Sequence, residues 1–200
     1  NSLIFTGHYP GEDSLIQQMV STAGVMPKYR HMQMPGIDHL GRRITSLLLT
    51  KQVTSIAKQF GQKQVLSETF GCAGWNIPFE DMCYIWGWQA AAGINVPVLH
   101  LGAYTMAGTR KRDYPAFYSY QEPWWGEFHH ISEWLSGIGY QMSMGRWLEE
   151  ILVISPMQSI FCTHGSDTEF TDLEREISAS YRQLCDCLME VQVGFDLCDE

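Results

Sequence analysis

Apolar and polar positions along this chain follow two different periods. Short apolar runs fall at 3–7, 64–67, 96–100 and 151–155, the length and composition of strands buried on both faces. Between them lie longer stretches whose apolar residues recur three and four apart, which predicts amphipathic helices. One covers 12–23, with Leu15, Ile16, Met19 and Val20 on a single stripe. A second covers 51–60, with Thr50 as N-cap, Val53, Ile56, Ala57 and Phe60 apolar, and Gly61 ending it. Pro78 opens a third over 79–92, stopped by Gly93, and two more are predicted over 128–144 and 172–191. The stretch 25–33 reads as a strand, closed by a Pro35-Gly36 break, and 102–125 reads as a long polar and aromatic loop.

Strands alternating with helices of ten or more residues mean βαβ units and a parallel sheet. Two α/β folds fit this order: an open doubly wound sheet, or part of a (β/α)8 TIM-type barrel. No GxGxxG or GxxxxGK[ST] motif is present, so the nucleotide-binding versions lose weight.

Composition narrows the partners. Thirteen Lys and Arg against 22 Asp and Glu give a net charge of −9, which disfavours non-specific attraction to nucleic acid or anionic lipid. No apolar run reaches the ~18 residues a membrane span needs. The six cysteines show no paired CxxC, so a structural zinc site is not expected and core thiols are the simpler reading. The chain begins inside an apolar run and stops without a polar tail, which reads as a segment of a longer protein; the missing signal peptide then says nothing about compartment.

The chemistry-bearing residues gather at the predicted strand ends. The first run leads into Gly7-His8-Tyr9, the second carries Tyr29-Arg30-His31, the third leads into Ser67-Glu68-Thr69, and the fourth ends at His100. In a (β/α)8 barrel those ends form the active site. Glu68 stands out, because a carboxylate ending a doubly buried strand bears a desolvation cost unless something pairs with it, and such a group suits proton transfer. A structural carboxylate bonded to a neighbouring loop is the plainer alternative. Glycoside hydrolysis needs a second carboxylate. Glu12 is one candidate, with a helix N-terminal acid as its alternative; Asp38 is the other, with an Asx turn as its alternative.

The loop after the fourth run brings Arg110, Tyr120, Trp124 and Trp125. Aromatic rings stack on the C–H faces of sugars while charged and amide groups take the hydroxyls, although Trp124 and Trp125 would equally pin a long loop to the scaffold. His8, His31, His39 and His100 near strand ends raise a rival, a metal-dependent hydrolase, but the close-spaced HxH or HExxH pairs of such sites are missing, and no metal ligands are assigned.

The segment Ser67-Glu68-Thr69-Phe70-Gly71-Cys72-Ala73-Gly74-Trp75, together with Met26-Pro27-Lys28-Tyr29-Arg30, Pro35-Gly36-Ile37-Asp38 and Arg110-Lys111-Arg112-Asp113-Tyr114-Pro115, resembles bacterial glycoside hydrolases of the α-L-rhamnosidase type related to glycoside hydrolase family 106. The resemblance spans about 3–156 and implies the C-terminal part of a (β/α)8 catalytic barrel over 1–150, followed over 151–200 by the start of a second α/β domain. It implies that Glu68 is the family's strand-end glutamate and that Glu12 is an acidic position after the Gly-His segment. It also implies inversion of configuration, calcium as a cofactor with no ligands placed in this chain, and a periplasmic or extracellular setting. Nothing in it matches Cys72 or 157–171.

The expectation is therefore a glycosidase acting on an oligo- or polysaccharide. Glu68, Glu12 and Asp38 are its candidate catalytic residues. His8, Tyr29, His31, His100, Arg110, Tyr120, Trp124 and Trp125 would hold the sugar, and the rest of the parent chain is the implied partner. A non-catalytic carbohydrate-binding barrel stays open, distinguished by carboxylates that do not converge. An isolated half-barrel would expose strand edges and be poorly soluble.

Overall fold

A computed structural model describes residues 3–44, 46–109, 112–165 and 169–200. It is an α/β structure whose strands all pair in parallel. Strand β1 (Thr6–Gly7) leads into helices α1 (Leu15–Ser21) and α2 (Met26–Tyr29), then β2 (Met34–His39), α3 (Leu47–Gln59), β3 (Leu66–Thr69), α4 (Phe79–Ala91) and β4 (Val96–Leu99). A long loop and one turn of 3-10 helix precede α5 (Phe128–Met144), followed by β5 (Ile151–Ile154), α6 (Met157–Thr163), α7 (Asp172–Glu190) and β6 (Phe195–Cys198). One sheet runs β1-β2-β3-β4 in chain order; β5 and β6 form a second. The first sheet shows no reversal of order, the switch point that marks a doubly wound fold.

The stretch 25–33 is not a strand. Pro27 near the first turn of α2 favours the helix, and Gln18 Oε1 accepts the Val25 amide at its start. The second strand lies instead across the Pro35-Gly36 break. Pro35 is tolerated because the ladder with β3 begins one residue later, at Gly36, so its missing N–H removes no bond to β3. Gly36 is required by crowding: a Cβ there would lie 2.3 Å from Leu66 Cδ1 and 3.0 Å from the Leu66 carbonyl oxygen. Gly36→Ala is expected to destabilise the fold by about 2 kcal/mol, a loss of several degrees in melting temperature, measurable by calorimetry.

Helix α3 starts four residues earlier than the sequence predicts, because Ser46 Oγ accepts the Leu48 amide as the cap, while Thr50 turns its hydroxyl back to the Leu47 carbonyl inside the helix. Every residue of α3 from Leu47 to Ala57 is buried. One side meets the first sheet; the other meets β6, where Ser55 Oγ accepts the Leu197 amide at 2.9 Å and Gln59 donates to the Leu197 carbonyl at 2.7 Å. Lys58 pairs with Glu149 and Asp196 at 2.6 Å each, and Lys51 sits at 3.4 and 3.6 Å from the same two acids. Two cations and two anions neutralise each other there, which lets a buried helix carry lysines.

Helices α4, α5 and α7 match the predicted spans to within one residue at each end, and a Thr171–Glu174 capping box fixes the start of α7. The thiols are corrected in part: Cys185 is a core residue, whereas Cys72, Cys162 and Cys187 are exposed. Among the described residues no helix is long and apolar enough to cross a membrane.

Candidate active site

The parallel register sets Asp38 beside Glu68 and Glu68 beside Val98. Neighbouring strands stand about 4.8 Å apart and in-register residues face the same way, so the two acids share one face of the sheet near its C-terminal edge. The opposite face carries Ile37, Ser67 and Thr69, all fully buried, with Gln89 of α4 donating to Thr69 Oγ1. The acid-bearing face is partly open, with Val98 43% exposed.

Two histidines flank Glu68. His8, just past β1, places Nε2 2.7 Å from Glu68 Oε2, and His100, just past β4, places Nε2 3.5 Å from Oε1. Gly71 makes room for this, since a Cβ there would lie 2.9 Å from His100 Cγ. The side chain of Glu68 remains 28% exposed, within reach of a ligand. Asp38 is half-buried, and its Oδ1 is buried without a hydrogen-bond partner among the described residues. Burial pushes the Asp38 carboxyl above its ordinary range; His8 pulls against this, the Glu68 charge adds to it, and His100 again opposes it. Tyr114, 55% exposed, meets the His100 ring edge-on at 5.6 Å and sets an aromatic surface beside that histidine.

Glu12 lies deeper, 3% exposed. Its Oε1 accepts the Tyr29 hydroxyl at 2.5 Å and the Tyr9 amide at 2.8 Å, and its Oε2 accepts the Asp38 amide at 3.1 Å. Burial lifts its carboxyl to about 7, against the pull of those three donors and of His8. A cavity of about 240 Å³ opens beside it, bordered by Tyr9, Asp13, Asp38 and Leu40.

This carboxyl has a sign-definite effect on stability. Its folded value lies above its unfolded value of 4.5, so the folded state holds the extra proton. Its contribution to stability is largest below about 4.5 and is lost as pH rises through about 7, by roughly 3 kcal/mol in all. Urea midpoints taken between pH 4.5 and 8 should show that fall, and Glu12→Gln should remove its contribution.

The remaining sugar-holding candidates are scattered. Tyr29 is fully buried beneath Glu12, its hydroxyl donated to that carboxylate. His31 precedes β2, at the opposite end of that strand from Asp38, and its Nε2 accepts from Arg30. A strand over 25–33 would place it with the site; helix α2 there keeps it away. Trp124 packs among Phe79, Tyr118 and Phe128, and Trp125 stacks on Phe128 at 5.4 Å, so both anchor the long loop to α4 and α5. Tyr120 is 79% exposed. Arg110 lies outside the described residues. His39 turns to the other face, where its ring meets Trp88 at 5.4 Å, so the four strand-end histidines do not form one ligand set.

Among the described residues, Glu12 and Glu68 do not make a calcium cage. Calcium takes six to eight oxygens. Both Glu12 oxygens already accept protein donors, and Glu68 faces imidazole nitrogens, poor ligands for a hard cation. Among the described residues no group of three or more His, Cys, Asp or Glu is arranged to hold a metal ion.

Sequence reasoning passed over Tyr114 and the glutamines that support Glu12 from behind. Gln18 and Gln52 are buried and both donate to the Glu12 carbonyl oxygen at 2.9 Å. Their signal was visible: each is an uncharged amide beside the apolar stripe of its helix.

Comparison with known proteins bears on the fold. No protein-family model matches the chain, and no curated protein matches it in sequence. Among solved structures, a rhamnosidase from Novosphingobium sp. PP1Y superposes on 87% of this chain with a TM-score of 0.61 at 13% identity. The fold resembles part of a glycosidase. The matched region is 16% of the rhamnosidase chain, so this chain spans about a sixth of that protein's length. At such low identity the likeness is one of architecture, and the residues of the site must speak for the chemistry.

Proposed function

We propose that this chain carries part of the catalytic centre of a glycoside hydrolase, with α-L-rhamnosides the first substrates to test. Residues 1–150 are read as consecutive strands and helices of a (β/α)8 barrel, and 151–200 as the beginning of a following α/β domain. The sequential parallel strand order and the likeness to a rhamnosidase support that reading.

The observation that carries the proposal is the register of Asp38 with Glu68 at the C-terminal edge of neighbouring strands, flanked by His8 and His100. Cleaving a glycosidic bond takes one carboxylic acid to protonate the leaving oxygen and one carboxylate to activate water or attack the anomeric carbon. Asp38, whose carboxyl burial pushes above its ordinary range, suits the first task. Glu68, faced by two imidazoles and open to a ligand, suits the second. His8, His100 and Tyr114 would contact the sugar, the histidines its hydroxyls and the tyrosine its apolar face. The test is hydrolysis of a panel of nitrophenyl glycosides by the full-length protein, the α-L-rhamnoside included. Release of nitrophenol that Glu68→Gln abolishes and Asp38→Asn lowers supports the proposal; a folded protein that cleaves none of the panel counts against it.

A further inference from the structure

Glu12 was a candidate for direct proton transfer, yet its surroundings suit another task. It is 3% exposed, and its two oxygens meet three donors. Those donors come from three places: Tyr9 in its own loop, Tyr29 on α2, and the backbone of Asp38 on β2. Behind the side chain, the Glu12 carbonyl accepts from Gln18 of α1 and Gln52 of α3, Gln18 Nε2 also donates to Gln52 Oε1 at 2.9 Å, and Gln18 Oε1 accepts the Val25 amide. One buried residue thereby ties α1, α2, α3 and the loop after β1 to the backbone of a single strand-end acid.

We propose that Glu12 is a positioning residue: by accepting the Asp38 amide it fixes where the Asp38 carboxyl stands relative to Glu68, and the Tyr29 hydroxyl holds Glu12 in that role. The catalytic consequence rests on the glycosidase reading above; the structural link between Tyr29, Glu12 and Asp38 does not. The Asp38 amide needs this acceptor, because β1 ends its pairing with β2 at Pro35 and supplies no strand partner as far along as position 38. The charged and titratable groups around Glu12 are His8 and Tyr9 after β1, Tyr29 from α2 and Asp38 from β2, with Asp13 on the same cavity; the faces of α1 and α3 that reach it contribute neutral amides. Neutralising Glu12 removes acceptor capacity that all three donors use, so the hold on Asp38 loosens as the carboxyl takes up a proton. Burial places that event near neutral pH.

Hydrogen exchange and kinetics on the full-length protein test this together. Tyr29→Phe keeps the buried ring and deletes one donor; Glu12→Gln keeps the shape and deletes one acceptor. Both are expected to speed exchange in the peptide containing Asp38 at least ~10-fold while peptides from α4 stay unchanged. Both should lower kcat about 10- to 100-fold with KM moved less than about threefold, a smaller loss than Glu68→Gln gives. Tyr29→Phe should also move the acid limb of the kcat profile to higher pH, because it removes a bond that favours the ionised carboxylate. Glu68→Gln should leave exchange at Asp38 as in the wild type.

Unchanged exchange at Asp38 in both variants would overturn the proposal. So would a Glu12→Gln loss as large as that of Glu68→Gln with exchange intact, since Glu12 would then act on substrate itself. Should Glu12→Gln fail to fold, Tyr29→Phe decides alone. A protein that cleaves no sugar but shows the exchange changes keeps the positioning link and loses only the glycosidase reading.

Discussion

Glu68→Gln in the full-length protein is expected to lower turnover at least ~10³-fold while the sugar still binds. The amide fills the same space and can still bond one imidazole, so His8 and His100 keep their places on either side of position 68. What disappears is the negative charge and the ability to take a proton from water or form a bond to the anomeric carbon. Loss confined to kcat, with sugar binding by calorimetry within about threefold of wild type, is the signature of an interaction made in the transition state. A variant that keeps more than a tenth of wild-type turnover removes Glu68 from the reaction.

Asp38→Asn is expected to cost about 10²- to 10³-fold, and the size should depend on the leaving group. A nitrophenolate departs without help, whereas a sugar or alkyl alcohol must be protonated as it leaves. If Asp38 supplies that proton, the loss on an alkyl or disaccharide substrate should exceed the loss on the nitrophenyl glycoside by tenfold or more. Equal losses on both substrates would assign Asp38 a different task. The double variant with Glu68→Gln should fall short of the product of the two single losses, because both residues serve one step.

Much of this arrangement is legible in the residues. The alternation of four- and five-residue apolar runs with helical stretches marks an α/β chain, and β3, β4 and β5 fall within two residues of the expected runs. Glu68, Asp38, Glu12, His8 and His100 do converge on one edge of the sheet. The errors arise where local rules compete with packing. Pro35-Gly36 reads as a break by propensity, yet the glycine is demanded by Leu66 across the sheet and the proline falls ahead of the ladder, and neither fact is local. Thr50 looks like a cap because nothing in the sequence shows that α3 is covered on both sides. Strand β6 went unread although Phe195 and Leu197 alternate with Asp196 and Cys198, since a four-residue run gains its meaning from pairing with β5. For the aromatics, stacking capacity is written in residue type, but whether a ring faces ligand or core is decided by the fold: Trp124 went to the loop cluster and Tyr114 to the side of His100.

Asp38 and Glu68 are proposed to work as a pair on one bond. A crystal structure of the full-length protein with an uncleaved glycoside analogue bound tests it most directly. The glycosidic oxygen and the anomeric carbon are expected between the two carboxyls, whose separation should be near 5–5.5 Å or between 6.5 and 9.5 Å. An analogue seated elsewhere, or the two carboxyls turned to opposite faces of the sheet, contradicts it.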